Sequence, residues 1–293
     1  MAKVSVVTDS VASIPKELLE KLNIHFVPYY IHRGTETLRD MVTATAESFY
    51  EWMLSATELP TTANPSPGEY LEKYIQLAEQ GVREIISIHI SSKASGAFGA
   101  AATAKNMLAE KFPKVRVELI DSLNVQMCQG WMVIEAARAA LKGHSLREIS
   151  AKVNEMIPVS HMLQTADTLK YLYLGGRIGR AKHLVGSMLD IKPIISMENG
   201  EIIALGQGRT RKKVYKMMVD KLDSFAGQSA VKIAYVHAAA LEEAEKLKAL
   251  VEQRVEVVES MICDLAPALG VHSGPGTVGF CFFPVPETVE DSA

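Results

Sequence analysis

The sequence has few cysteines, and their arrangement does not indicate a metal site or a disulfide framework. Cys128, Cys263 and Cys281 are widely separated, and the CxxC and Cys/His spacings typical of zinc ligation do not occur. An odd number of isolated thiols is typical of proteins that fold in a reducing compartment. We therefore expect a cytoplasmic protein without a bound metal.

The sequence also lacks an excess of charge of one sign. Its 31 Lys and Arg residues and 34 Asp and Glu residues are well mixed, and the formal net charge is -3. Proteins that bind nucleic acids or anionic membranes usually carry a cluster of positive charge. The charge balance therefore argues against nucleic acid and against a membrane surface as partners.

Long hydrophobic runs are missing as well. No apolar stretch is long enough to cross a bilayer, and the first residues, MAKVSVVTDS, enter a strand-like run without the features of a signal peptide. Hydrophobic residues make up 48% of the chain and charged residues 22%, as in an average globular protein. For 293 residues of this composition, we expect a compact protein of two domains.

The first half of the chain alternates short apolar runs with amphipathic segments. Residues 83–90 form a continuous apolar run of the kind found in buried strands of parallel sheets. Capping boxes that begin at Ser66 and Ser145 mark two helix starts. This pattern predicts an amino-terminal α/β domain with a parallel sheet over residues 1–158.

The second half of the chain predicts a different sheet. Residues 191–208 read as two strands around the dipeptide Asn199-Gly200, which favours a type I′ hairpin turn. Because a hairpin implies antiparallel pairing, we expect a mixed-sheet α/β domain over residues 159–286. A polar tail, residues 287–293, is expected to be flexible.

A glycine-rich segment near the end of the chain, residues 270–279, surrounds His272. Glycines at this density predict a loop whose backbone closely approaches a ligand. Taken alone, the histidine is better explained as a structural residue bonded within its own loop. Its setting among other polar motifs favours a role in binding.

Two of these motifs carry hydroxyl groups. Thr61 and Thr62 precede a helix start, where hydroxyls and free amides can bind an oxyanion. Ser92, Ser95 and Gly96 follow an apolar strand, at the position where open α/β sheets usually bind ligands. Helix capping and close packing explain each motif separately, but together they indicate a site for a small anionic head group between the two domains.

Arginines follow the glycines of GGRIGRAK, residues 175–182. The segment lacks the spacing of a P-loop, and no strand leads into it as a dinucleotide-binding motif requires. Arg177, together with Arg209 after the predicted hairpin, therefore reads equally well as solvated surface or as a contact for a phosphate or an acidic partner.

The motifs resemble those of the DegV family, whose members include the fatty-acid-binding subunits (FakB) of bacterial fatty acid kinases. The resemblance extends over nearly the whole chain, with six motifs in the family's order. They are VVTDS (residues 6–10), PTTANPSP (60–67), SSKASGAFGAA (91–101), LKYLYLGGRIGRA (169–181), IKPII (191–195) and GVHSGPGTVG (270–279).

The resemblance implies a two-domain α/β protein that holds one long-chain fatty acid in a buried tunnel, with its carboxylate at the domain junction. The family's carboxylate-binding residues fall on Thr62, Ser95 and His272, and Thr61, Ser92 and Gly96 are possible accessories. A separate kinase would phosphorylate the bound acid, with Arg177 and Arg209 as candidates for docking. No cofactor is implied besides the fatty acid.

The chain departs from the family pattern beside two of these residues. It has Ala63-Asn64 where the family usually has Ser-Gln, and residues 94–99 also differ. The hydrogen-bond donors are retained while the neighbouring shape changes, so the resemblance leaves the preferred chain length and saturation open.

Two other functions remain open from the sequence. Ser95 and His272 could serve as nucleophile and base of an acyl hydrolase or transferase, although the sequence places no third residue beside the histidine. Alternatively, the protein could be a regulator whose lipid is purely structural.

Overall fold

The computed structural model describes residues 4–187 and 191–285, so the predicted tail at 287–293 and the end of the predicted second domain lie outside the described residues. Thirteen strands occur in this part of the chain: β1 (Val4–Asp9), β2 (Ile24–Val27), β3 (Tyr30–Arg33), β4 (Glu36–Arg39), β5 (Thr61–Ala63), β6 (Glu84–His89), β7 (Arg116–Asp121), β8 (His161–Thr165), β9 (Lys192–Glu198), β10 (Glu201–Gly208), β11 (Val231–His237), β12 (Val257–Asp264) and β13 (Val278–Pro284).

Ten α-helices connect the strands of the described segments. They are α1 (Lys16–Lys21), α2 (Ala46–Ser55), α3 (Pro67–Glu79), α4 (Ala97–Lys111), α5 (Gln126–Leu141), α6 (Leu146–Met156), α7 (Lys170–Leu174), α8 (Arg211–Ala226), α9 (Leu241–Val251) and α10 (Pro267–Ser273). Short 3₁₀ turns lie at Ser10–Ala12, Ile157–Val159 and Gly179–Ser187. Within the described ranges, no helix has the length and apolar character needed to cross a bilayer.

The amino-terminal sheet is parallel, with strand order β2-β1-β6-β7. All six residues of β1 are buried, because helices cover both faces of the sheet. The predicted capping boxes are confirmed: Ser66 and Ser145 each accept a hydrogen bond from the N3 backbone amide, and Glu69 and Glu148 reciprocate.

A small antiparallel sheet that the sequence did not predict lies beside the parallel one. Its strand order is β4-β3-β5, and Thr62 of β5 pairs with Ile31 of β3. The turn between β2 and β3 transfers the chain from the parallel sheet to this one. Pairing with β3 thus fixes the position of Thr62.

The carboxy-terminal sheet has six strands in the order β10-β9-β8-β13-β11-β12, and only β11 and β12 pair in parallel. The predicted hairpin is confirmed in β9 and β10, where Asn199 and Gly200 both have positive φ, at 51° and 82°. The parallel first sheet and the mixed second sheet confirm the predicted α/β fold class.

Helix α5 lies between the two large sheets and contacts both β1 and β13. Nearly all of its residues are buried, including Trp131, which donates a hydrogen bond to the carbonyl of Cys281 at 3.2 Å. One hydrophobic core includes this helix and residues from both sheets. The sheets divide between β7 and β8, and the domain boundary at residue 158 stays a prediction.

Charged side chains around the buried Glu135 also join the two halves. Glu135 of α5 accepts hydrogen bonds from Arg138, from Lys152 of α6 at 2.7 Å and from Lys232 of β11 at 2.8 Å. Arg138 and Lys232 in turn pair with Glu259 of β12. We refer to these five side chains as the junction ion cluster.

Candidate functional site

A cavity opens where loops from the parallel sheet meet β8 and α10, and we call it the junction cavity. Its volume is about 120 Å³, compared with the roughly 10–15 Å³ that a single ordered water needs. It lies at the carboxyl ends of β1, β6 and β7, which is where ligands bind in open α/β sheets. Its apolar wall includes Val11, Ile90, Val125, Leu172, Ile202 and Leu269.

Thr62 and His272 meet in the polar wall of this cavity. The Thr62 Oγ1 and the His272 Nε2 are 2.8 Å apart and form a hydrogen bond. Strand β5 supplies the threonine and α10 supplies the histidine, so residues far apart in the sequence form one pair. The structure thus brings together two of the predicted head-group residues.

His272 does not lie in a glycine-rich loop, as the sequence predicted, but on the helix α10. The helix is held in place at its start, where Asp40 accepts a hydrogen bond from the Ala268 amide at 3.1 Å and Ser13 accepts one from the Ala266 amide at 3.1 Å. The glycines allow close packing instead of a loop: a methyl group at Gly270 would overlap the ring of Tyr50.

The His272 imidazole is neutral near pH 7. Burial, with a smaller contribution from the positive charge of Arg177, lowers its pKa to about 4. The sequence alone does not fix this charge. In the unliganded site, the histidine is an uncharged group.

The surroundings of Nδ1 indicate which nitrogen carries the proton. This atom is buried without a hydrogen-bond partner and lies against Gly175, where a methyl group would overlap it. A proton on Nδ1 would be a buried, unpaired donor pointing at a backbone CH₂ group, whereas a bare nitrogen fits there. We therefore assign the proton to Nε2, which donates to Thr62 and leaves the Thr62 hydroxyl proton free for a ligand.

Ser95 is oriented by a residue that the sequence analysis missed. Its hydroxyl lies 2.6 Å from the Tyr29 hydroxyl and accepts a hydrogen bond from the Ala97 amide at 3.3 Å. Burial raises the pKa of Tyr29 well above its usual value, so the phenol keeps its proton. With Tyr29 as donor, the Ser95 proton is also free for a ligand. Tyr29 belongs to no motif or periodic pattern that would have marked it.

The other predicted residues divide into two groups. Gly96 and Arg177 line the junction cavity, and the exposed Arg177 donates to the Gly175 carbonyl at 2.9 Å. Thr61, Ser92 and Arg209 are exposed and do not line it. Thr61 lies outside the cavity because side chains alternate along β5, so that Thr61 and Thr62 point to opposite sides of the strand.

The geometry does not support the predicted hydrolase alternative. The Ser95 hydroxyl is bonded to Tyr29, and His272 bonds Thr62 through Nε2 while its Nδ1 has no orienting partner in the described chain. For His272 to activate Ser95 as a nucleophile, one ring nitrogen would have to bond the serine hydroxyl and the other would have to bond an orienting residue.

A serine, a histidine and an aspartate are hydrogen-bonded in series elsewhere in the molecule. His89 Nε2 is 2.8 Å from the Ser87 hydroxyl, and its Nδ1 is 3.2 Å from the Asp9 carboxylate. All three side chains have 0% exposure, and the Ser87 hydroxyl also accepts a hydrogen bond from Tyr74. No substrate can reach this series, which serves the core of the parallel sheet. His89 is therefore a structural residue.

The described residues also contain no group of three or more His, Cys, Asp or Glu side chains arranged to hold a metal ion. The polar groups of the junction cavity are hydroxyls, amides, one imidazole and one guanidinium. Such a set donates hydrogen bonds to an anion.

Similarity to known proteins identifies the family of the chain. A family model described as "Uncharacterised protein, DegV family" matches residues 3–285. The chain belongs to the DegV family. A curated relative, Protein DegV of Bacillus subtilis, is 34% identical over 281 residues, which cover 95% of this chain and 98% of the relative.

Solved structures of DegV proteins share the fold. "DegV, a fatty acid binding protein from Bacillus subtilis" superimposes with a TM-score of 0.86 at 33% identity, covering 97% of this chain and 100% of the other. A DegV family protein from Thermus thermophilus, described under "Fatty Acid Binding", gives 0.89 at 27% identity, covering 96% and 99%. This chain therefore shares its family and fold with proteins described as binding fatty acids.

Proposed function

We propose that this DegV protein binds one long-chain fatty acid in the junction cavity and presents its carboxylate to a separate fatty acid kinase. Thr62 and Ser95 donate hydrogen bonds to the carboxylate, and His272 orients Thr62. The acyl chain extends along the apolar wall into a tunnel that opens further when the ligand binds. The protein itself acts as a carrier and performs no chemical step.

The observation that carries this proposal is that the hydroxyl groups of Thr62 and Ser95 line the same cavity as an apolar wall. With the proton assignments made above, both hydroxyls can donate to a ligand. A carboxylate removed from water needs several donors, and neutral donors of fixed orientation supply them without another buried charge. Burial of an acyl chain contributes roughly 0.8 kcal/mol per methylene, or about 10 kcal/mol for a long chain before ordering costs are subtracted.

The kinase part of the proposal rests on position and charge. Arg177 lies at the exposed side of the junction cavity, where a transferred phosphoryl group would meet the carboxylate. Arg209 offers a second exposed guanidinium after β10. Reversing both charges with Arg177→Glu and Arg209→Glu should abolish kinase-dependent acyl phosphate formation while fatty acid binding persists. Unchanged acyl phosphate formation would remove both residues from the proposal.

Binding is tested first by denaturing the purified protein and identifying the released lipid by mass spectrometry. We expect near-stoichiometric fatty acid. A protein that releases none and takes up none when fatty acids are added would refute the proposal. Slow exchange, over many hours, would instead favour the regulatory protein with a structural lipid.

The head-group assignment is tested by comparing a fatty acid with the matching fatty alcohol. Thr62→Val and Ser95→Ala each remove a donor that serves the carboxylate, so each should weaken acid binding by about tenfold and alcohol binding much less. Thr61→Val is the matched control, because Thr61 lies outside the cavity. Equal losses for acid and alcohol would show that the assignment is wrong.

A further inference from the structure

The junction cavity is also lined by a pair of side-chain amides that the proposed function does not use. Gln126 is the first residue of α5, and Gln164 lies in β8. Both line the cavity, and their side chains are nearly completely buried, with 4% and 5% exposure. The apolar residues Val125 and Met162 also line the cavity next to the pair, and the pair makes no hydrogen bond to Thr62, Ser95 or His272. We take the pair to face the acyl chain.

The two amides satisfy each other only in part. The Gln126 amide nitrogen donates to the Gln164 carbonyl oxygen and lies 3.2 Å from the sulfur of Met162, a weak acceptor. In the described part of the chain, the Gln164 nitrogen and the Gln126 oxygen make no hydrogen bond. The Gln164 nitrogen and the Gln126 oxygen are not among the fully buried unpaired atoms, so both are accessible from the cavity. Exchanging oxygen and nitrogen in both amides still leaves one donor and one acceptor unpaired, although the donor then belongs to Gln126 and the acceptor to Gln164.

The surroundings of the pair are otherwise apolar. Val125 precedes Gln126, and Met162 lies on the same face of β8 as Gln164. Gln126 also has a positive φ of 55°, a conformation that is unfavourable for residues other than glycine and asparagine. The fold therefore holds this amide at the cavity wall against a local conformational preference.

A plain methylene chain would leave both free amide groups without partners, which weakens binding. A hydroxyl group on the chain pairs with both, because its oxygen accepts from the free NH₂ and its proton donates to the free carbonyl. A double bond offers neither a strong donor nor a strong acceptor. The unpaired donor and acceptor of the two amides thus match a hydroxyl group on the acyl chain.

We infer that the preferred ligand of this protein is a long-chain fatty acid that carries a hydroxyl group along its acyl chain, recognised by the amide pair of Gln126 and Gln164. The inference rests on the proposed function, since it takes the head group to be bound by Thr62 and Ser95. It adds the substrate class: an oxygenated acyl chain is preferred over the plain one.

The test compares the dissociation constants of stearate and a panel of monohydroxylated stearates that differ in hydroxyl position. For at least one position, the natural protein should bind the hydroxylated acid about tenfold more tightly than stearate. Gln164→Leu and Gln126→Leu should each remove this preference, with stearate bound equally well or better. Because the preference is a ratio measured on one sample, partial misfolding of a variant does not alter it.

Met162→Leu is the matched control, because it changes the same wall at nearly constant volume and keeps both amides. It should retain the preference. The inference is overturned if stearate binds as tightly as every hydroxylated acid, or if the leucine variants keep the preference. A protein that binds none of these acids refutes the proposed function itself, which is a distinguishable result.

Discussion

At the scale of single residues, the site depends on how His272 is held. Its Nε2 bonds Thr62, and its Nδ1 packs against Gly175. The glycine has an ordinary backbone conformation with φ of -75°, so its missing side chain is explained by the space that the imidazole occupies. The position of the histidine therefore depends on a residue without a side chain.

Gly175→Ala should displace the imidazole and weaken fatty acid binding by about tenfold, because Thr62 then loses its orienting partner. The added methyl group would meet Nδ1 of His272 and the Tyr171 carbonyl oxygen, 2.9 Å away. Gly99→Ala on α4 is the control, since nothing lies within 4 Å of its added methyl group. Ligand affinity and the unfolding temperature are measured for both. Unchanged affinity in Gly175→Ala would contradict the assigned role of His272.

At the scale of elements, α10 shows which parts of the site could be predicted. Capping boxes and the Asn199-Gly200 turn are signals within a few residues, and the structure confirms them. Helix α10 has only seven residues and contains Gly270, so its own sequence does not favour a helix. It forms because distant side chains, including Asp40, cap its start and pack against it.

The same reasoning explains what the sequence did and did not predict in the site. Thr62, Ser95 and His272 lie in motifs with unusual local composition, and they do meet at one cavity. Tyr29 was missed because its contact with Ser95 arises from the path of the chain between two sheets, which no local pattern encodes. Helix α10 was predicted as a loop because glycine was taken as a sign of backbone freedom.

The capping of α10 by Asp40 should make stability depend on pH. Burial raises the pKa of the Asp40 carboxyl to about 7 from 3.8, although hydrogen bonds from Ser10 and Ala268 oppose the shift and the nearby Asp9 adds to it. Between these values the folded protein binds more protons at this site than the unfolded chain, so its contribution to stability falls as pH rises. The charged carboxylate is the unfavourable form.

Asp40→Asn should therefore gain stability relative to the natural protein as pH rises from about 4 to about 7. The asparagine oxygen can still accept from the Ala268 amide, so α10 stays capped. Urea unfolding of both proteins at about pH 5 and about pH 8 measures the difference, with the exposed Asp220→Asn as control. A difference that does not change with pH would show that Asp40 keeps an ordinary pKa.

At the scale of the whole molecule, the junction ion cluster connects α5 and α6 to the second sheet. Burial alone would raise the pKa of Glu135, but hydrogen bonds from Lys152 and Lys232 lower it to about 2. The carboxylate thus contributes stability above its ordinary pKa of about 4.5, and the contribution is lost as pH falls toward about 2.

Glu135→Gln should lower the free energy of unfolding by about 1–3 kcal/mol at neutral pH, since three cations lose their central anion. The loss should shrink as pH falls below about 4.5. Chemical denaturation across this range measures it, and the exposed Glu155→Gln on α6 is the control. A constant difference at all pH values would mean that the cluster acts through packing instead of charge.

The position of α10 has a consequence for how the protein is made. Thr62, Ser95 and Tyr29 belong to the part of the chain that the ribosome synthesises first, whereas His272 and the helix that carries it come late. A nascent chain can form the parallel sheet and expose an apolar wall before the residue that orients Thr62 exists. Under the proposed function, tight loading with a fatty acid therefore has to wait until α10 has been synthesised and has packed against the parallel-sheet part.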